Sequence, residues 1–342
     1  MAGLTGTKPS ASYKSLLRVD DNTNGVDGTL EFVTDGEGTS TPLKLSSTDV
    51  RFQYSSDSHN ISLGKDAGEN LESGAESNIC IGKDAGEALA TGDDNILIGY
   101  NAGSHYTGSN LTAIGYESNS NIASGGGGTF VGKFSGRMKQ GVNNVAVGYD
   151  AMGYADTTGD GDAGGYVDYS PYLGHHNTAI GMDSMFGLLD GNYNACIGTM
   201  AGFSVNDGSN NFFAGYKAAF GFVGMSSSVI IGANTALAGA DESNAIVIGA
   251  NAIGKGSNKA VIGDDNITDI YLSEDQGATV WLEHINMLEK SSDPAEPAEG
   301  HAVMWMSDGS GKGADGDVLI ASQAGGVTKY SVVFDHSGGS TW

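Results

Sequence analysis

One glycine recurs through most of this chain at a nearly fixed interval, and that interval decides what the chain can fold into. Residues 78–103 read NICIGKDAGEALATGDDNILIGYNAG: an Asn, a short apolar run, a Gly, a small residue three places on, and then the same again. Aligned on the glycine, the anchors are Gly64, Gly82, Gly99, Gly115, Gly132, Gly148, Gly181, Gly198, Gly215, Gly232, Gly249 and Gly263. Most steps are sixteen to eighteen residues; the step from 148 to 181 is about double, and the last is fourteen. The residue before each anchor is apolar, as in Ile81, Ile98, Ile197, Ile231 and Ile248. The residue before that is apolar in all but Ser62. Asn recurs four places before the anchor (Asn60, Asn78, Asn95, Asn144, Asn177, Asn194, Asn211), and Ala or Ser three places after it.

Apolar residues and glycines at this spacing suit short strands and turns, not helix pairs. Each repeat reads as one coil of a β-solenoid, with a short strand, a glycine turn, a tighter second strand and another turn. The small residue suits a narrow coil. The Asn is expected to stack into a ladder that bonds neighbouring coils. Adjacent strand residues point to opposite faces, yet two adjacent positions are apolar in coil after coil. One set fills the coil interior, and the other needs a second surface. We expect that surface to be the same roll from another chain, associated about an axis parallel to the solenoid. Leu97, Phe130, Phe213, Ile230, Val247 and Val261 are the expected residues of this roll or inter-chain core.

Composition agrees with many short strands. There are 55 glycines and only five prolines, without the three-residue period of collagen. The net charge is −25 with only 16 Lys and Arg, which repels phosphate backbones, so nucleic acid is excluded as a main partner. Cys80 and Cys196 occupy the same repeat position several coils apart, too far for a disulfide within one chain. They read as small apolar side chains. No apolar run of membrane-spanning length is present, and the N-terminal MAGLTGTKPSASYKSLL lacks the apolar stretch of a secretory signal. The expectation is a protein that neither inserts in a membrane nor leaves a cell by that route.

The strings NNVAVGYDAM (143–152), NTAIGMDSM (177–185) and SNAIVIGANAIGKGSNKAVIGDDN (243–266) resemble the head repeats of bacterial trimeric autotransporter adhesins. That resemblance implies left-handed parallel β-rolls, three chains side by side. The longer upstream coils look more like the version found in bacteriophage tail fibres. Residues 13–52, YKSLLRVDDNTNGVDGTLEFVTDGEGTSTPLKLSSTDVRF, resemble the N-terminal module of fibre and structural proteins of tailed phages, notably marine podovirus-like ones. The resemblance covers roughly residues 13–272. The expected fold is therefore all-β: a homotrimeric left-handed parallel β-roll with a small N-terminal β-domain and a C-terminal β cap. Residues 1–55 are expected to attach to virion tail or adaptor proteins, 56–272 to form the shaft, interrupted at 153–176, and 273–342 to cap it or form its tip.

The N-terminal region holds three strand-like runs, YKSLLRV, TLEFV and LKLSSTDVRF. In 273–291, Trp281, Ile285 and Leu288 fall at helical spacing and suggest one short helix. DPAEPAEG (293–300) reads as a linker, and HAVMWMSDG, GDVLIASQ and TKYSVVFD as three strands.

The interruption gathers Tyr154, Tyr166, Tyr169, Tyr172, His175 and His176 with Asp156, Asp160, Asp162 and Asp168. Aromatic faces beside carboxylates suit a sugar. The same tyrosines would equally pack against a neighbouring chain. Asp156, Thr158, Asp160 and Gly161 follow calcium-loop spacing, but Val167 stands where an EF-hand needs Glu. That excludes an EF-hand and leaves a looser calcium site open. SDGSGKGADGD (307–317) lacks the Ser or Thr of a phosphate loop. No nucleophile–base pair and no zinc spacing stands out, so the expectation is a non-enzyme with no cofactor and no metal. The expected function is a tailed-phage fibre or spike at the virion exterior that binds a host cell-surface glycan or protein. A head-decoration fibre without receptor role and a polysaccharide-degrading spike, with carboxylates drawn from distant coils, are the alternatives.

Overall fold

A computed structural model describes residues 59–123, 126–137, 141–153, 174–239, 241–270, 281, 285–287 and 289–335, together with the backbone of four short N-terminal strands. The chain divides into two compact units, 1–268 and 269–342. The described residues form an all-β protein with no helix.

The N-terminal strands are β1 (Arg18–Val19), β2 (Glu31–Thr34), β3 (Ser40–Leu45) and β4 (Val50–Phe52), joined in order as an antiparallel meander. LKLSSTDVRF was expected to be one run, but it is divided between β3 and β4.

The body of the first unit is a parallel β-solenoid of about twelve turns. Each turn contributes one strand: β5 (Ile61–Leu63), β6 (Ile79–Ile81), β7 (Ile96–Ile98), β8 (Leu111–Ile114), β9 (Gly128–Val131), β10 (Val145–Val147), β11 (Thr178–Ile180), β12 (Ala195–Ile197), β13 (Phe212–Ala214), β14 (Val229–Ile231), β15 (Ile246–Ile248) and β16 (Ala260–Ile262). They stack in sequence order in one twelve-stranded sheet. The register matches repeat position to repeat position, as in Cys196↔Phe213 and Ile230↔Val247. It carries across the doubled step, where Ala146 pairs with Ala179. Strand pairing therefore continues in register across the inserted residues.

Among the described residues the tighter second strand that the repeat suggested is absent. The rest of each coil turns through left-handed backbone instead, leaving one isolated bridge, Ala236↔Ile253, outside the named strands. Three non-anchor positions per coil repeatedly take positive φ. They lie five before the anchor (Asp94, Asn143, Tyr193), two after it (Asp84, Asp150, Lys217) and four after it (Met152, Met185, Ala219). Asp and Asn are common at the first two sites, because they tolerate this region best among residues with a Cβ.

The anchor glycine itself sits at φ near +124 to +142 in most coils. A Cβ on Gly198 would lie 2.5 Å from the carbonyl oxygen of Gly215, and the same contact recurs up the column. Glycine is required here twice, by conformation and by the approach of the next coil.

Three side-chain columns fill the coil. Two are the residues two before and three after the anchor, and the third lies seven after it, where Leu89, Tyr106, Leu188 and Val205 are buried; the columns are buried in most coils and open at the two ends of the stack. Leu97, Phe130, Phe213, Ile230 and Val247 lie inside the roll and are buried; Val261, in the last coil, is partly buried. Cys80 and Cys196 are free and buried there too. The Asn column runs along one corner. Asn194 Oδ1 accepts from the Asn211 N–H at 3.0 Å, and its Nδ2 donates to the Gly208 carbonyl at 2.7 Å and to Asn177 Oδ1 at 3.1 Å. Leu111 and Gly128 interrupt the column, and Ser228 continues it beyond Asn211.

The second unit is a four-stranded sheet of β17 (Glu289–Lys290), β18 (Ala302–Asp308), β19 (Asp315–Ala324) and β20 (Val327–Phe334). Trp305, Leu319 and Ala321 form its core, with Val303 and Tyr330 against them. The helix expected over 273–291 lies mostly outside the described residues. Where it is described it is not helical: 281 and 285–287 hold no regular structure, and Glu289–Lys290 pair in parallel with β18. Backbone pairing to a neighbouring strand outweighs a three-residue helical pattern. The 293–300 segment is bonded to the sheet: Glu296 accepts from the Tyr330 hydroxyl at 3.2 Å, and Glu299 accepts from the N–H groups of Gly325 and Gly326.

Three substitutions test this account of the coil. Gly198→Ala is expected to cost more than about 3 kcal/mol, because its Cβ meets backbone that cannot move. Gly221→Ala, at φ +84 with nothing within 4 Å, is expected to cost only about 1–2 kcal/mol of backbone strain. Equal losses in denaturant unfolding would remove the contact argument. Asn194→Ala leaves the buried Asn211 N–H and the Gly208 carbonyl without partners, and should cost about 3 kcal/mol in the same assay.

Candidate functional site

The strand alternation decides which residues the roll offers to a partner. In β7, Leu97 points inward while Ile96 and Ile98 point out, and every later strand to β15 repeats that pattern. The outer face therefore carries two columns, one and three residues before the anchor. The second was not recognised in the repeat, because Thr112, Thr129, Thr178, Ala195 and Ala260 mask its apolar character. Where it is aliphatic or aromatic, as at Ile96, Val229, Phe212 and Ile246, it flanks the first column rung by rung. Ile180, Ile197, Phe212, Ile246 and Ile248 are all large and exposed, with Ile197 at 44%. Phe212 occupies the rung whose other outer residue is Ala214.

A second strip lies at the turn after the strand. Tyr100 and Tyr116 stack at 5.0 Å; Phe134 meets Tyr116 edge-on at 5.6 Å and Tyr149 at 6.0 Å. Lys133 lies within 6 Å of the Tyr116, Phe134 and Tyr149 rings, and Arg137 lies 4.6 Å from Phe134. The strip binds coil to coil. Such pairs contribute about 0.5–1.5 kcal/mol each. The Glu117 carboxylate raises the Tyr116 hydroxyl above its ordinary range, and Asp150 does the same to Tyr149. Burial raises Asp150 itself, with Arg137 opposing and Asp183 adding to the shift. A further ladder, Phe186–Phe203–Phe220, stacks at 5.1 and 5.2 Å.

Of the residues singled out in the interruption, Tyr154, Tyr166, Tyr169 and Tyr172 lie outside the described residues, as do Asp156, Thr158, Asp160 and Gly161. His175 and His176 are described and belong to the coil that follows. His175 is half-buried, and its Nδ1 accepts from the Val142 N–H at 2.9 Å. His176 is exposed and stacks on Tyr193 at 5.0 Å with the rings 4° from parallel. The two histidine rings are 6.4 Å apart. Among the described residues no group of three or more His, Cys, Asp or Glu could hold a metal ion, and no helix is long and apolar enough to cross a membrane. In the second unit an open cleft of about 450 Å³ is lined by Glu289, Met306, Asp315, Gly316, Val318 and Phe334.

These features define the class: an all-β protein whose body is a parallel β-solenoid with an apolar outer sheet face. No family model, no curated protein and no solved structure matches the chain.

Asp150 gives a pH test. Its proton is held more tightly in the folded state, so its contribution favours the fold at acid pH and is lost as pH rises through the folded value. Asp150→Asn keeps a residue suited to φ 50 and removes the buried charge. The variant should melt higher than the parent at pH 7, by up to about 1 kcal/mol, and the gap should close toward pH 3. A gap independent of pH would overturn this assignment. Burial also pushes the Cys80 thiol up to about 11. The folded protein at pH 8 should therefore resist alkylation at Cys80 and react only on unfolding, as read by mass spectrometry.

Proposed function

We propose that this chain is a homotrimeric fibre or spike of a tailed bacteriophage, located at the virion exterior, that carries the host-contacting surface on a left-handed β-roll. The observation that carries this reading is the outer face of the solenoid. Two adjacent columns of mostly apolar side chains run along its twelve parallel strands. At a strand spacing of about 4.8 Å the stripe is about 50 Å long. Contiguous apolar surface on that scale marks an interaction site. A second copy of the same roll supplies a matching surface for every rung at once, when the copies are related about an axis along the stack. The number three, the handedness and the phage setting are supported by the resemblance of the repeats to adhesin heads and of residues 13–52 to phage fibre modules. In this reading the N-terminal unit attaches to tail or adaptor proteins. The interruption or the C-terminal unit meets a host glycan or protein.

The test is the mass of the purified chain in solution together with adsorption to host cells. Three copies per particle and loss of adsorption after antibody blocking are expected; a stable monomer removes the reading. Ile197→Asp separates assembly from folding. Its side chain is exposed in the single roll, but buried and unpaired in the assembly, where each charge costs several kcal/mol. Expected are monomers that keep their β-sheet circular dichroism. Val247→Asp is the contrast: Val247 lies inside the coil, so that change should destroy the roll itself.

A further inference from the structure

A third inter-coil ladder runs six residues before the anchor glycine. At this position the backbone N–H of one coil donates to the side chain of the next. Asp93 receives Glu76, Ser109 receives Asp93, Asn192 receives His175, and Ser209 receives Asn192, at 2.8–3.0 Å. Ser226, Ser243 and Ser257 continue the series at 3.1–3.2 Å. Every acceptor but one in this series is an oxygen of Ser, Asn or Asp. The exception is His175, whose Nδ1 takes the Val142 N–H at 2.9 Å. This link joins the two coils between which residues 154–173 are inserted. The same seam is closed by the His176 N–H donating to the Val142 carbonyl at 3.0 Å.

A backbone N–H only donates, so Nδ1 must hold its lone pair and the ring proton must sit on Nε2. An imidazolium carries protons on both nitrogens and cannot accept. Histidine is the side chain that ordinarily changes charge between about pH 5 and 8, whereas Ser and Asn links do not titrate there. The described titratable groups around His175 are His176, at 6.4 Å between ring centroids, and Tyr193, stacked on His176. Asp190 is in the same turn, with its backbone carbonyl accepting from Asn192. We propose that His175 is a proton-sensitive link, which closes the seam beneath the insertion at neutral pH and opens it on acidification. This inference is independent of the fibre reading.

Hydrogen exchange on the intact chain tests it, comparing the Val142 amide at pH 8 and pH 5 after correction for the intrinsic rate. The link is present while the His175 ring is neutral and is lost when Nδ1 takes up a proton. Protection of Val142 should therefore drop about tenfold, the scale of one net hydrogen bond. The Ala195 amide, bonded to the Asn211 carbonyl at 2.8 Å, should hold steady and reports that the roll is folded. His175→Asn places at this site the residue of the next coil, Asn192, and should abolish the drop while keeping the link. His175→Ser, the residue of later coils, serves as the second variant. His176→Asn should retain the drop. Unchanged Val142 protection in the parent, or the same drop in both His175 variants, overturns the proposal.

Discussion

The roll depends on one backbone contact. At each anchor the chain turns through a conformation suited to glycine, and the space where a side chain would begin is occupied by the carbonyl of the next anchor. Coils can therefore stack at strand spacing along this column, and strand pairing follows in register because each strand ends at the same glycine. The remaining columns inherit their alignment from it. Asn reaches Asn, interior residue meets interior residue, and the donors six before the anchor meet side-chain acceptors one coil on, except where Gly126 and Val142 offer none.

The coil is too small to bury everything the strand offers. Inside, the residue three after the anchor is Ala, Ser or Thr in every coil but the last, where it is Asn266. Where a large ring enters, room is made elsewhere: a Cβ on Gly136 would sit 2.0 Å from the Phe130 ring. Outside, the strand still carries aliphatic residues, and nothing in the coil covers them. A narrow solenoid with apolar residues on both faces of its strand is stabilised by stacking along one axis and leaves an apolar outer face exposed.

The sequence made the anchor column, the Asn column, the inner column and the doubled step legible, because each is enforced by a requirement few residues meet. Glycine is fixed by positive φ and contact, and Asn by its paired donor and acceptor. The absent second strand was less legible. Its signal is the frequency of Asp and Asn two after and five before the anchor, which marks left-handed turns, not pairing. Met152, Met185 and Ala219 adopt the same conformation with no local preference for it, since buried packing overrides propensity. The outer column three before the anchor was hidden by Thr and Ala, which a partner surface accepts as readily as Ile. The helix suggested by Trp281, Ile285 and Leu288 shows the reverse failure, for three residues at helical spacing are weak against a strand edge at Glu289–Lys290.

The least legible feature was the ladder six before the anchor, and the reason is general. That position asks only for an acceptor within reach of the next coil's N–H. Asp93, Ser109, His175, Asn192 and Ser209 all meet the demand, so no single residue type recurs to reveal the column. The same tolerance lets chemistry enter without structural cost. An acceptor that titrates serves the fold as well as one that does not while it stays neutral, and differs only when it takes up a proton. His175 stands in the first coil described after the inserted residues. A link that can be broken there acts on the seam that carries the insertion, while the oxygen acceptors above it hold the rest of the roll in register.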